Sequence, residues 1–78
     1  MSITVLYFAA LRDAAGRASE DVPLPIDLAS LYAGLRARHG FGFEPRALRV
    51  AVDGEFRDWS HPLVDGAEVA FIPPVSGG

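Results

Sequence analysis

The last six residues of the sequence, PPVSGG, are the segment whose residue types could carry chemistry. Gly77 and Gly78 have no Cβ, so their backbone can pass through a channel too narrow for any other residue. The terminal α-carboxylate has a pKa of about 3.3–3.7 and is ionised at neutral pH. A carboxylate is a poor electrophile, but joining it to AMP makes an activated acyl group that a sulfur or nitrogen nucleophile can attack. The pattern therefore predicts chemistry performed on the end of the chain itself.

The residues before the two glycines are typical of an extended tail. Pro73 and Pro74 lack an amide hydrogen, so they stop any β-ladder. A proline pair is also stiff and would project the following residues, Val75 and Ser76, away from the folded part. We therefore expect a folded domain over residues 1–72 and a flexible C-terminal tail over residues 73–78.

The other polar residues predict no catalytic group. His39 and His61 have no acid or nucleophile at a recognisable spacing, and two distant histidines do not make a metal site. Cysteine is absent, which excludes a thiolate nucleophile and a cysteine-ligated metal. We expect no metal, no permanently bound cofactor and no catalytic side chain. The carboxylates scattered around turns are predicted to be solvated surface: Glu20, Asp21, Asp53, Glu55, Asp58, Asp65 and Glu68.

Length and composition limit the possible functions further. A chain of 78 residues makes one domain with a thin core and little room for an internal active site. The net charge of −3 and the scattered arginines exclude a basic surface for nucleic acid or anionic lipid. The N-terminal segment lacks the features of a signal peptide, and no apolar run reaches the length of a membrane span. We expect a cytoplasmic protein.

Hydrophobic periodicity indicates the elements that would position the tail. Leucines recur at helical spacing between Asp27, a good N-cap, and Gly40, a typical helix stop. A short Ala-rich helical turn is expected over residues 10–15, and Asp53-Gly54 is a strong hairpin turn. Pro23 assigns its strand to a sheet edge. The predicted strands cover residues 3–9, 19–24, 48–52, 55–57 and 68–72.

This element order predicts an α+β fold in which one main helix covers one face of a mixed sheet. The first and last strands are apolar on both faces, which is typical of central strands, so we expect them to be neighbours. That arrangement is the ubiquitin-like β-grasp.

The sequence resembles the small subunit of molybdopterin synthase over essentially its full length. The resemblance lies in ITVLYFAALRD, the Asp-capped leucine helix, VAVDGE and above all HPLVDGAEVAFIPPVSGG. Asp53-Gly54 departs from some relatives, which carry an amide-containing turn there. Hairpin geometry is the expected role of the pair.

The resemblance implies a non-catalytic carrier subunit of a sulfurtransferase. An ATP-dependent adenylating enzyme of the ubiquitin-activating type would attach AMP to Gly78, and a sulfurtransferase system would convert this end to a thiocarboxylate. The tail would then enter the large synthase subunit and donate sulfur to a cyclic pterin precursor during molybdenum cofactor biosynthesis. Two small subunits would flank a dimer of large subunits, giving a heterotetramer.

The resemblance also assigns residues to these roles. Gly77 and Gly78 match the family's reactive end, and Arg12 matches a basic position at the partner interface. Phe8, Phe56 and Ile72 match apolar positions that face the partner, although such residues could also belong to the core. The tail residues Pro73, Pro74, Val75 and Ser76 would contact the partner as well.

Four alternatives share part of this pattern. Sulfur carriage for thiamine or for tRNA thiolation, and conjugation to proteins as a ubiquitin-like modifier, would use the same activated Gly78. A tungsten cofactor route would use the same pterin. A plain interaction domain with an inert tail would use only the body of the fold.

Overall fold

The structure is a computed structural model that describes residues 1–74. Its elements in chain order are β1 (Ser2–Tyr7), α1 (Ala9–Ala15), β2 (Ser19–Pro23), α2 (Leu28–His39), a 3-10 turn (Pro45–Ala47), β3 (Arg49–Val52), β4 (Glu55–Arg57) and β5 (Glu68–Ile72). The five strands form one sheet in the order β2-β1-β5-β3-β4. Strands β1 and β5 are parallel, and the other neighbours are antiparallel. The predicted β-grasp, the pairing of the terminal strands and the edge position of β2 are confirmed.

Helix α2 forms where the sequence predicted it, because both of its ends carry local signals. The Asp27 carboxylate accepts a hydrogen bond from the Ser30 amide at 2.7 Å, and this bond lowers the pKa of the Asp27 carboxyl. Gly40 ends the helix with φ of 74°, in the left-handed region that favours glycine. The helix therefore stays in one register and presents one face to the sheet.

The core lies between α2 and the inner face of the sheet. Four residues of α2 are buried: Leu28, Leu31, Tyr32 and Leu35. They pack against alternate residues of the strands, including Val5 on β1 and Phe71 on β5. The rings of Tyr32 and Phe71 lie 5.2 Å apart between centroids, and the Tyr32 hydroxyl donates to the Phe43 carbonyl. Trp59 is partly buried at the edge of the core and also packs on Phe71.

The β3–β4 hairpin turns at Asp53 and Gly54, which have φ of 51° and 85°. Positive φ at both central residues is the signature of a type I′ turn, for which Asp-Gly is a favoured pair. The Asp53 carboxylate also accepts a hydrogen bond from the Glu68 amide at 3.0 Å. The turn is therefore attached to the start of β5.

Strand β1 is shorter than predicted. It ends at Tyr7, and Phe8 is the extended N-cap residue of α1. Ala9 has φ of 49°, a left-handed conformation that turns the chain out of the strand. The strand β2 likewise ends at Pro23 and the strand β3 begins at Arg49, each one residue inside the predicted range.

The prediction that Glu20 is a solvated surface carboxylate is wrong. Glu20 is buried at 9% exposure on β2. Its Oε1 accepts hydrogen bonds from the Tyr7 hydroxyl at 2.5 Å and from His39 Nε2 at 2.7 Å, and its Oε2 accepts one from Arg38 at 2.9 Å. Burial alone would raise the pKa of this carboxyl, but the bonds from Tyr7 and His39 and the Arg38 charge outweigh it and lower the pKa. Glu20 thus attaches the last turn of α2 to the sheet.

None of the helices formed within residues 1–74 has the length and apolar character needed to cross a membrane.

Candidate functional site

The sheet has a second face that α2 does not cover. Side chains alternate along each strand, so the residues between the buried positions point to this side. We define the open face by the six apolar residues that line a groove of about 240 Å³ on it: Leu6, Phe8, Ala51, Phe56, Ala70 and Ile72. Gly54 and Glu68 complete the lining of this groove.

The three apolar residues that the resemblance assigned to an interface come together on the open face. Phe8 is 46% exposed and Phe56 is 60% exposed, while Ile72 is half-buried. Their positions in the sequence are far apart, and the pairing of β5 with β1 and β3 and of β3 with β4 brings them together. Large apolar side chains grouped on one exposed surface mark interaction sites more often than singly scattered ones do.

A second groove of about 580 Å³ continues from the open face to the place where the tail begins. We call it the tail groove, and it is lined by Phe8, Ala9, Ala10, Phe43, Ile72, Pro73 and Pro74. Phe8 and Ile72 line both grooves, so the two form one apolar surface. Pro73 is buried and Pro74 is exposed. The chain therefore leaves the body of the fold at the border of this surface.

The remaining predicted site residues lie apart from the grooves or beyond the described chain. Arg12 is exposed in α1, one helical turn after Phe8, and lines neither groove. Val75, Ser76, Gly77 and Gly78 lie outside the described residues. Within residues 1–74, the side chains form no group of three or more His, Asp or Glu that could hold a metal ion.

Arg49 lines neither groove but borders the open face, and the sequence analysis missed it. It pairs with Ile72 across β3 and β5, and its guanidinium carbon lies 4.6 Å from the centre of the Phe56 ring. The alternation along β3 could have placed Arg49 on the open side of the sheet, because Arg49 and Ala51 alternate with the buried residues Leu48, Val50 and Val52. A cation thus stands beside two of the apolar side chains of the open face.

Comparison with known proteins gives concordant results for sequence and fold. The ThiS family model matches residues 5–78. The molybdopterin synthase sulfur carrier subunit of Escherichia coli (strain K12) is 38% identical over 80 residues, covering 97% of this chain and 99% of that protein. The alignment therefore spans nearly the whole length of both proteins.

Two solved structures are similar over the full length of both chains. SAMP1 from Haloferax volcanii superimposes with a TM-score of 0.78 at 26% identity, covering 100% of each chain. The second is a chain of the complex between subunits 1 and 2 of molybdopterin-converting factor from Helicobacter pylori 26695. It gives a TM-score of 0.72 at 25% identity and also covers 100% of each chain.

Proposed function

The chain belongs to the ThiS family, and on that premise we propose that it is the sulfur carrier subunit of molybdopterin synthase. The observation that carries the proposal is the place where the chain leaves the sheet, at Pro73 and Pro74. Strand β5 is central in the sheet, and its last residue, Ile72, lies in the open face just before Pro73 and Pro74. A partner that covers the open face would receive the tail at the border of the same contact.

The proposed reaction takes place at the carboxylate of Gly78. This carboxylate attacks the α-phosphorus of ATP on an adenylating enzyme, pyrophosphate leaves, and an acyl adenylate forms. A sulfurtransferase then supplies sulfur at the oxidation level of sulfide, which displaces AMP and leaves a thiocarboxylate. The thiocarboxylate sulfur displaces an oxygen substituent from a carbon of the pterin precursor and forms a C–S bond. Water then cleaves the acyl–sulfur bond, which leaves the sulfur on the pterin and restores the carboxylate of Gly78. The body of the fold presents the tail and supplies no catalytic side chain to these steps.

The proposed partner for the last step is the large subunit of the synthase. The Helicobacter pylori relative was solved in a complex of subunits 1 and 2, which supports this type of partner. The open face supplies the physical reason, because covering the exposed parts of Phe8 and Phe56 removes apolar surface from water. Two such carriers on a dimer of large subunits would form the heterotetramer.

Mass spectrometry of the protein isolated from its host tests the proposal directly. We expect a fraction of the molecules to carry sulfur in place of one oxygen at Gly78. We also expect that deletion of Gly78 leaves the unfolding transition unchanged and abolishes synthesis of the cofactor. Cofactor synthesis by the truncated chain would contradict the mechanism.

Conjugation to proteins is the second candidate function, because the fold is also that of SAMP1, a small archaeal modifier protein. Both functions use an activated Gly78, but they differ in the group that attacks it. Transfer to a lysine amine would give adducts of higher mass joined through an isopeptide bond. Such adducts without a thiocarboxylate form would favour the modifier function.

A further inference from the structure

The cation on the open face restricts the chemistry of the partner that can cover it. Arg49 is exposed, and no ion pair among residues 1–74 includes it. Its neighbours are the Phe56 ring at 4.6 Å, Ile72 on the adjacent strand and, in a shallow groove that Arg49 also lines, Asp58. Asp58 forms no ion pair with Arg49 among residues 1–74, so the guanidinium is hydrated on its outer side.

A partner that buries Phe56 and Ile72 must also remove this water from Arg49. Contact with an aromatic face is a weak interaction at an exposed site. Burying a guanidinium without a charged or hydrogen-bonding partner costs much more free energy than such a contact supplies. The Phe56 ring therefore cannot offset the desolvation of Arg49, and the covering surface must supply an acceptor.

We propose that the partner on the open face presents a carboxylate that pairs with Arg49, next to the apolar side chains that enter the groove. A carboxylate fits because a guanidinium binds it through two parallel hydrogen bonds. This inference rests on the proposed function, and it assigns the carboxylate to the large subunit of the synthase. The contact lies at the Ile72 end of the face, so it would fix the orientation of the carrier close to the root of the tail.

The test measures the dissociation constant between the full-length carrier and the large subunit from the same organism. Arg49→Met keeps a long apolar side chain on the Phe56 ring and removes only the charge. We expect it to weaken binding by about tenfold, and Arg49→Glu to weaken it by about a hundredfold. Arg49→Lys keeps the charge but not the two parallel hydrogen bonds, so its affinity should lie between those of the wild type and Arg49→Met.

The matched control is Arg46→Met, which removes the same charge from an exposed arginine of the 3-10 turn, outside the strands that form the open face. We expect its affinity to equal that of the wild type. Each affinity is measured at about 50 and about 500 mM NaCl, because screening should weaken the wild type more than Arg49→Met. Thermal unfolding of each variant shows whether it is folded.

The outcomes separate the two proposals. Tight binding by the wild type with equal affinity and equal salt dependence for Arg49→Met would overturn the carboxylate contact and leave the proposed function standing. Absence of binding between the wild type and the large subunit would overturn the proposed partner and, with it, the contact. Reduced affinity of Arg49→Met that the Arg46→Met control does not share would support both.

Discussion

Phe8 combines two structural roles at one position. Its side chain lines both apolar grooves, while its backbone is the N-cap of α1 in an extended conformation without a side-chain capping bond. Aspartate is among the preferred residues at an N-cap and stabilises a helix by about 1 kcal/mol relative to a residue that cannot cap. A charged substitution at Phe8 can therefore be harmful to binding without being harmful to folding.

We expect Phe8→Asp to weaken binding to the large subunit by about thirtyfold or more, since aromatic side chains contribute strongly to interfaces. The unfolding free energy should change by less than about 1 kcal/mol, because the new cap offsets the lost burial of a half-exposed ring. Titration calorimetry and denaturant unfolding measure the two quantities. Val64→Asp is the control, because Val64 is 63% exposed and lines neither groove. Loss of folding in Phe8→Asp would show that Phe8 belongs to the core.

Glu20 shows how a single carboxylate attaches two elements to each other. It lies on β2 and receives hydrogen bonds from Tyr7 on β1 and from Arg38 and His39 on α2. Burial, followed by the hydrogen bond to Glu20, raises the pKa of the Tyr7 hydroxyl, so this group stays a donor. The carboxylate oxygens are thereby satisfied by three donors on two neighbouring elements.

The lowered pKa of Glu20 predicts the pH range in which this contact stabilises the fold. The contribution is fully present above the ordinary glutamate pKa of about 4.3 and is lost as pH falls through the lower folded value. Glu20→Gln should lower the unfolding free energy by about 2 kcal/mol at neutral pH, and the difference from the wild type should shrink on acidification. Urea unfolding at several pH values measures this. Glu55→Gln, at an exposed ion pair, should change stability by less than about 0.5 kcal/mol.

At the scale of elements, two glycines provide a matched test of the backbone. Gly54 has φ of 85° in the hairpin, whereas Gly34 lies inside α2 with open space around it. We expect Gly54→Ala to destabilise the fold by about 1–2 kcal/mol, because alanine is strained at positive φ. Gly34→Ala should stabilise it by about 0.5–1 kcal/mol, because alanine favours a helix. Equal effects of the two changes on thermal unfolding would contradict the assigned turn.

The elements that the sequence predicted well are those with local signals at their ends. Asp27 and Gly40 mark the two ends of α2, and Asp53-Gly54 specifies the hairpin turn. Hydrophobic periodicity was needed only to identify the residues between these ends. The position of β1 beside β5 followed from apolar residues on both faces of the two strands. The end of β1 was placed too late, because the left-handed conformation of Ala9 has no sequence signal of its own.

The candidate site was predictable only in part, because some of its contacts join residues that are distant in the sequence. Phe8, Phe56 and Ile72 were identified through the resemblance, and residue types alone left a place in the core open to them. The burial of Glu20 depends on Tyr7 and His39, which are 13 and 19 residues away, and such a network cannot be deduced from residue types. Arg49 was overlooked because a charged residue in a strand suggests solvent, and its place beside Phe56 depends on the registers of β3 with β4 and β5.

At the scale of the whole molecule, the two faces of the sheet differ in exposure. The inner face and α2 hold the core, so changes there alter stability, as expected for a thin single core. The open face carries the exposed side chains of Phe8 and Phe56, which the proposed function assigns to a partner. The proposed reactive group, the carboxylate of Gly78, follows β5 by six residues in the sequence, so the proposal predicts that binding and chemistry can be altered independently of the fold.

The composition of the chain adds a constraint on the activated state. All seven basic residues are arginines, and the chain contains neither lysine nor cysteine. The proposed acyl adenylate at Gly78 would therefore meet no side-chain amine or thiol on a second copy of this chain, and arginine stays protonated and non-nucleophilic. We expect the adenylating enzyme, ATP and excess carrier to yield the acyl adenylate and its hydrolysis product without carrier–carrier adducts linked through side chains. Intact-mass and peptide mass spectrometry detect such adducts.

A control variant, Ala37→Lys, places an amine on the exposed side of α2. Covalent multimers formed only by that variant would show that the missing nucleophile protects the wild type. Side-chain-linked multimers of the wild type would contradict the argument, because some other side chain would then have to accept the acyl group.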